Sequence, residues 1–380
     1  MRDEVNEENH GSVGDGAVPM VDIWRGDRVE SLHTGHAVIC DAKGAVLQAW
    51  GNPGAVRYPR SSAKMIQALP LLESGAGAGL DARRLALACA SHQGAEVHVS
   101  EVGRWLADMG AGTSDLRCGA HEPYEIDARD DLIRTGAAPC QLHNNCSGKH
   151  AGFVMLNRHL RGEAEYVDPD HPVQRAVRQA FEEVTGARSP GYGIDGCSAP
   201  NFATTVAGLA RAMAAFAAAS EGGDARSRAM ARLRDAMMAH PALVAGEGRA
   251  CTELMRAMGP VAAIKTGAEA VFVAMLPRQG LGIALKIVDG GTRASEAAIT
   301  ALLVRAGVLD ADHPAAQARL GGPVRNRRGL VTGTVRTAPG FPASTARAFR
   351  HGPPGLSPRG CGAARCGNPR SRTRLTGPRR

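Results

Sequence analysis

Strand-like runs sit at both ends of this chain and a long helical stretch lies between them, an order that narrows the possible folds sharply. Near the N-terminus, "MVDIWRGDRVESLHTGHAVICDAKGAVLQAWG" alternates apolar and polar residues and is punctuated by "RGD" and "DAKG". That pattern reads as antiparallel strands joined by tight turns. From Ser61 the spacing turns helical, through "DARRLALACA", "EVHVSEVGRWLADMG" and "SGKHAGFVMLNRHL" to an alanine-rich stretch from about Ala203 to Ala219. Strand character returns at "AVFVAML" and "LGIALKIVDGG", followed by a helix, "TRASEAAITALLVRAGVL", and a last run, "GLVTGTV". The two sets of strands bury their apolar faces most simply by pairing with each other. The expected class is α+β: one antiparallel sheet built from both ends, helices packed on it, and a helical region inserted. Hydrophobic content of 44% supports a large core, and with only 4% aromatics that core must be mostly Ala, Val and Leu. "GAGAGL" (Gly75 to Leu80) follows a helix rather than a strand, so it reads as a helix stop and not a nucleotide loop.

The net charge of +8 points to nucleic acid only superficially. Nine arginines and no acidic residue lie between Phe341 and Arg380, and without them 36 basic residues face 37 acidic ones. The body is close to neutral and the basicity is a tail. Residues 339–380, rich in Gly, Pro and Arg, read as disordered or as a non-native extension, with nonspecific nucleic-acid binding confined to them. Residues 1–18 read as a disordered lead, and residues 19–338 as one catalytic unit of sheet plus helical subdomain. The N-terminus is polar with no apolar core of a secretory signal, and no run approaches a membrane span, so a cytoplasmic location is expected. Nine cysteines, an odd number without a signal, argue against a disulfide framework.

Lysine is rare. Of 45 basic residues only Lys43, Lys64, Lys149, Lys265 and Lys286 are lysine. Arginine stays charged at any working pH, whereas a buried lysine can lose its proton and act as a base or as a neutral metal ligand. Lys64 in "SSAK", Lys149 in "CSGK" and Lys265 in "AIKTG" stand in motif-like surroundings. Lys43, in a turn, and Lys286, in a strand-like run, read as surface residues.

Ser61 and Lys64 are spaced to share one face at the start of a predicted helix, "SSAKMIQALPLLESG", which offers a nucleophile with a built-in base; Ser61 can equally be an N-cap. Ser91 and His92 follow an apolar helix, and Lys265 stands just ahead of a buried strand, where a lysine is costly unless paired or neutralised. Cys146 in "NNCSGKHAGF" and Cys197 in "GIDGCSAPN" lie in polar turns. Two thiolates and a neutral lysine make a soft three-ligand site with an open position, which suits zinc. Glu247 and Arg249, in the glycine turn "AGEGRACTELM", either read a substrate's amino and carboxylate groups or bridge each other.

The ordered motifs "PRSSAKMIQALPLLESGA", "ACASHQGAEVH", "LRCGAHEP", "NNCSGKHAGF", "DHPVQ", "GIDGCSAPNFA", "HPALVAGEGRACTELM", "AIKTGAEAVF" and "LGIALKIVDG" resemble the successive signatures of the asparaginase II family, the rhizobial-type, thermolabile L-asparaginases. The resemblance runs from about Val21 to Val335. It implies hydrolysis of L-asparagine to aspartate and ammonia on a fold similar to serine β-lactamases and glutaminases. It implies two pairs, Ser61 with Lys64 and Ser91 with Lys265, and a Zn2+ site of Cys146, Lys149 and Cys197 with Asp195 nearby. It further implies a homodimer without an organic cofactor.

The expected chemistry is acyl transfer: Ser61 attacks the side-chain amide, Lys64 takes its proton, and Ser91 with Lys265 relays protons to the leaving nitrogen or to water. Asp195, Glu247 and Arg249 are the expected substrate contacts. The alternatives are a glutaminase or a β-lactam-recognising acyl-serine enzyme, and, outside catalysis, a metal- or nucleic-acid-binding protein.

Overall fold

The structure, a computed structural model, describes residues 15–343. The chain divides into units 1–348 and 349–380, and the second lies outside the described residues, as do residues 1–14 of the expected lead 1–18 and residues 344–380 of the expected tail 339–380; Val18 of that lead opens the first strand.

The strands are β1 (Val18–Arg25), β2 (Arg28–Cys40), β3 (Val46–Trp50), β4 (Val56–Arg57), β5 (Tyr192–Ile194), β6 (Pro200–Phe202), β7 (Thr204–Thr205), β8 (Ala263–Gly267), β9 (Val271–Leu276), β10 (Leu281–Ile287), β11 (Pro323–Arg325) and β12 (Val331–Thr337). Eight of them form one antiparallel sheet in the order β11-β12-β1-β2-β10-β9-β8, with β3 also on β2. Both ends of the chain therefore meet in one sheet, as the pattern predicts. The hairpin β1–β2 turns through Gly26 and Asp27, with Arg25 opposite Arg28. The turn before β3 is tied by Asp41 Oδ1, which accepts from Lys43 N and Ala45 N. β9 is buried at every residue, which explains its unbroken apolar run.

The helices are α1 (Lys64–Gln67), α2 (Leu69–Glu73), α3 (Ala82–Ala88), α4 (Glu96–Asp108), α5 (Ile126–Thr135), α6 (Ser147–Leu160), α7 (Pro172–Thr185), α8 (Val206–Ala218), α9 (Ala225–Ala239), α10 (Pro241–Val244), α11 (Ala250–Met258), α12 (Thr292–Arg305) and α13 (Pro314–Gln317). Most of them fall between β3 and β8 as the inserted region. α8 lies hard against β10: a Cβ on Gly282 would sit 2.0 Å from Ala214 N, so only glycine permits the approach. No helix among the described residues is long and apolar enough to cross a membrane.

Two sequence expectations change. The helix expected from Ser61 is a 3-10 turn (Arg60–Ala63) followed by the short α1 and α2, split at Ala68. Pro70 supplies no N–H to the turn before it, so the helical ladder is interrupted there. Lys265 does stand ahead of the buried strand β9, but it also lies within a strand of its own, β8. At the other end, the chain stays packed beyond residue 338: Phe341 is buried, its ring edge-on to Trp50 at 5.5 Å. β8 is the edge of the sheet, and the turn carrying Ser61 covers it closely, since a Cβ on Gly267 would lie 2.7 Å from Pro59 O. That contact brings the N-terminal motif and the Lys265 strand together.

Candidate active site

Lys265 is buried, and its Nζ donates to Ser91 Oγ at 2.9 Å and to Thr266 O at 2.7 Å. Burial, helped by the nearby charge of Lys64, depresses its pKa from the ordinary lysine value to about 7. The lysine at Ser91 is thus able to hold or release a proton near neutrality. Ser91 itself is held by its backbone, whose N–H donates to Val244 O at 2.9 Å.

Lys64 is also buried, but it does not bond Ser61. Its Nζ donates to Ala90 O and, at 3.3 Å, to Asn145 O, the carbonyls just before Ser91 and Cys146. It ties the two motif loops together and places a cation beside Lys265. Ser61 is half-buried, and its hydroxyl makes no hydrogen bond among the described residues. The preceding Arg60 has a left-handed backbone (φ +53), unusual for a residue with a side chain. Its Nε donates to Asp195 Oδ1 at 2.8 Å, and its backbone N–H to Asn201 Oδ1 at 3.2 Å. Asp195 is therefore brought to Ser61 through Arg60.

A second lysine cluster is built at the start of α6. Lys149 Nζ donates to Cys197 Sγ at 3.0 Å, and both are buried with Cys146. The neighbouring Cys146 thiol, and then the Lys149 charge, hold the Cys197 thiol well below its ordinary pKa, while Cys146 Sγ itself donates to Asn145 Oδ1 at 2.9 Å. The neighbouring Cys197, with burial, pushes the Cys146 thiol well up. For Lys149, burial works to lower the pKa, but the Cys197 and Cys146 sulfurs outweigh it and the net direction is upward.

Beside them, Arg117 N–H donates to Tyr166 OH at 2.8 Å, and the phenol oxygen lies 2.9 Å from His150 Nδ1. His150 Nε2 has no partner within ordinary hydrogen-bond reach but lies near enough to Cys197 to favour its thiolate. Burial lowers the pKa of His150 to about 4. Sequence reasoning missed His150, although it stands next to Lys149 in the quoted motif; only its neighbours across the fold give it a role.

Among the described residues no group of three His, Cys, Asp or Glu side chains is placed to hold a metal ion. A metal here would need Lys149 as a donor. The convergence of Cys146, Lys149 and Cys197, with an unpartnered buried His150 Nε2 behind Cys197, fits a soft cation once the lysine and Cys146 lose their protons.

Glu247 and Arg249 do not bridge each other. Glu247 is exposed and pairs with Arg256 at 2.7 Å. The Arg249 guanidinium makes no hydrogen bond or ion pair among the described residues, and its charge contributes to depressing Lys265. Arg249 is thus the free cation of the turn.

A buried lysine bonded to a serine hydroxyl, on an antiparallel sheet with packed helices, is an arrangement able to support acyl transfer. The chain belongs to the L-asparaginase II family, whose sequence profile matches residues 21–337. That membership makes it an amidohydrolase. Solved structures similar to it include Mglu in its native form (12% identity, TM-score 0.41, covering 73% of this chain and 66% of that one). Another is a beta-lactamase from Mycobacterium bovis (14% identity, TM-score 0.35, covering 69% and 89%). No curated protein matches the chain.

Proposed function

We propose that this protein hydrolyses L-asparagine to L-aspartate and ammonia through a serine acyl-enzyme. The observation that carries the reading is Lys265, with a pKa near 7, bonded to Ser91 Oγ at 2.9 Å. In this scheme neutral Lys265 takes the Ser91 proton as Oγ attacks the side-chain amide carbon. The tetrahedral adduct then breaks its C–N bond, and Lys265 returns the proton to the leaving nitrogen, releasing ammonia. Water attacks the resulting aspartyl ester, giving its proton to Lys265, and the proton goes back to Ser91 as aspartate leaves. Arg249 is the available partner for the substrate's α-carboxylate, and the Arg60–Asp195 pair borders Ser61.

Cys146, Lys149 and Cys197 are the residues that would hold zinc, which would supply a fixed positive charge for orienting the substrate. A second reading makes Ser61 the nucleophile and Ser91 with Lys265 the proton shuttle. It is favoured by a Ser61 hydroxyl that no described group engages.

The test is turnover by purified protein with and without chelator, read as ammonia release from asparagine and glutamine and as the absorbance change on ring opening of a chromogenic β-lactam. Trapped intermediate mapped by mass spectrometry to Ser91 or Ser61 separates the two readings. Absence of turnover of asparagine overturns the proposal.

A further inference from the structure

The loop that carries Ser91 and the residues that open α6 approach so closely that glycine is required on both flanks. A Cβ on Gly94 would lie 2.8 Å from His143 O, and one on Gly148 would lie 2.4 Å from Leu87 O. The His92 side chain crosses between them, and both His92 and Ser147 are wholly buried. His92 N–H donates to Asn145 O at 3.3 Å, and Gly94 N–H donates to His92 Nδ1 at 3.2 Å. A neutral imidazole that accepts at Nδ1 carries its proton on Nε2, which lies 2.9 Å from Ser147 Oγ. Ser147 Oγ in turn donates to Leu142 O at 3.0 Å. The bonds run one way, from Gly94 through His92 and Ser147 to Leu142.

The ring is clamped on its face as well. His98 stacks on it, with centroids 4.7 Å apart and planes 8° from parallel, and His98 Nε2 lies 3.0 Å from Ala242 O. Ala242 belongs to α10, whose Val244 O accepts the Ser91 N–H at 2.9 Å. Burial, and then the neighbouring His98 and Lys64, hold the His92 pKa well below its ordinary value. A neutral ring with both nitrogens engaged has no proton to exchange with a substrate. Its bonds hold the Ser91 loop between α10 and α6.

We infer that His92 is a positioning residue, whose bond to Ser147 ties the Ser91 loop to the start of α6 and so keeps Ser91 Oγ on Lys265 Nζ. This rests on the amide-hydrolase reading above and deepens it, and it applies whether Ser91 attacks or relays protons. Lys265 is fixed in β8, a strand of the sheet, whereas Ser91 stands on a loop. Their 2.9 Å bond therefore depends on where that loop is held. A displacement of about 1 Å at such a pair is enough to cost about 10²-fold in rate.

The experiment uses His92→Asn, His92→Gln, Ser147→Ala and the double variant of His92→Asn with Ser147→Ala, read by steady-state kinetics on asparagine and by thermal melting. The Asn side chain can replace Nδ1 as acceptor for Gly94 N–H but is too short to reach Ser147. The Gln side chain reaches Ser147 and gives up the Gly94 bond. His92→Asn should lower kcat about 10²-fold with KM nearly unchanged, because alignment and not ground-state binding is lost. His92→Gln should recover kcat to within about tenfold of wild type. Ser147→Ala should reproduce the loss, and the double variant should fall no further than either single one, since each removes the same bond. A merely structural role would lower the melting temperature of both His92 variants and leave their folded enzymes with equal kcat. That pattern, additive losses in the double variant, or a His92→Asn enzyme with wild-type kcat overturns the inference alone. A wild-type protein that turns over no asparagine overturns the hydrolase reading, and this inference with it.

Discussion

Lys265 and Lys149 are both buried, both engaged with a nucleophilic side chain, and shifted in pKa in opposite directions. Lys265 faces a neutral hydroxyl, with the cations Lys64 and Arg249 nearby, and its pKa falls to about 7. Lys149 faces a sulfur that can carry negative charge, and its pKa moves up. Desolvation opposes the charged form of each; the sign of the nearest partner decides the outcome. The comparison teaches that a buried lysine is a base or a fixed cation according to what its tip touches, and that one fold can hold both.

The largest expected effect tests the base. Lys265→Arg, which cannot shed its proton, should lower kcat by 10²-fold or more while circular dichroism stays native. Retention of more than about a tenth of wild-type turnover would remove Lys265 from the proton path. A loss of similar size in Lys64→Arg, with Lys265 intact, would favour Ser61 and Lys64 as the attacking pair.

Metal content tests the other cluster. Protein purified without chelator should carry about one zinc per chain, and Cys197→Ser should carry almost none. Full metal content in Cys197→Ser would place the metal elsewhere.

Stability should separate the two lysines by sign. Lys265 has a folded pKa below its ordinary value, so the unfolded chain binds more protons between pH about 7 and 10.5, and this group adds stability as pH rises through that window. Lys149 is shifted up, so its contribution is complete below its ordinary value and is lost only at higher pH. At pH 7, in metal-free protein, Lys149→Met should lower the melting temperature by several degrees, because Cys197 loses its counter-charge. Lys265→Met should leave it unchanged or raise it. Equal destabilisation of both would dissolve the contrast.

The smallest effect is in the pH profile. Turnover should rise through about pH 7 as Lys265 becomes neutral. Lys64→Met removes a cation that depresses that pKa, so the rising limb of whatever activity persists should move to higher pH. A limb that stays in place would show that Lys64 acts only through its bonds to Ala90 and Asn145.

Much of this was legible in the chain. Periodicity placed the terminal strands in one sheet and found α6 and α8 closely, because burial on one face writes itself directly into spacing. Lysine scarcity singled out Lys64, Lys149 and Lys265, and the structure buries all three. Boundaries set by single residues were harder: the split at Ala68 depends on one proline, and β8 is too short to show a period. Glu247 looked like a partner for Arg249 because they are near in sequence. Arg256 is on the following helix turn of α11 and takes it instead.

The sequence by itself determined which residue types were available for proton transfer and soft-metal binding, and that both ends would meet in a sheet. Chemistry of that kind is carried by side-chain identity and by local spacing, both of which are present in the unfolded chain. Only the tertiary structure decided which lysine has its pKa lowered and which raised, and which thiol is favoured as a thiolate. Each of those depends on charges and donors brought within about 4 Å from distant positions, such as Ser91 with Lys265 and Lys149 with Cys197, and on removing water from around them. Such distances exist only once the chain has folded.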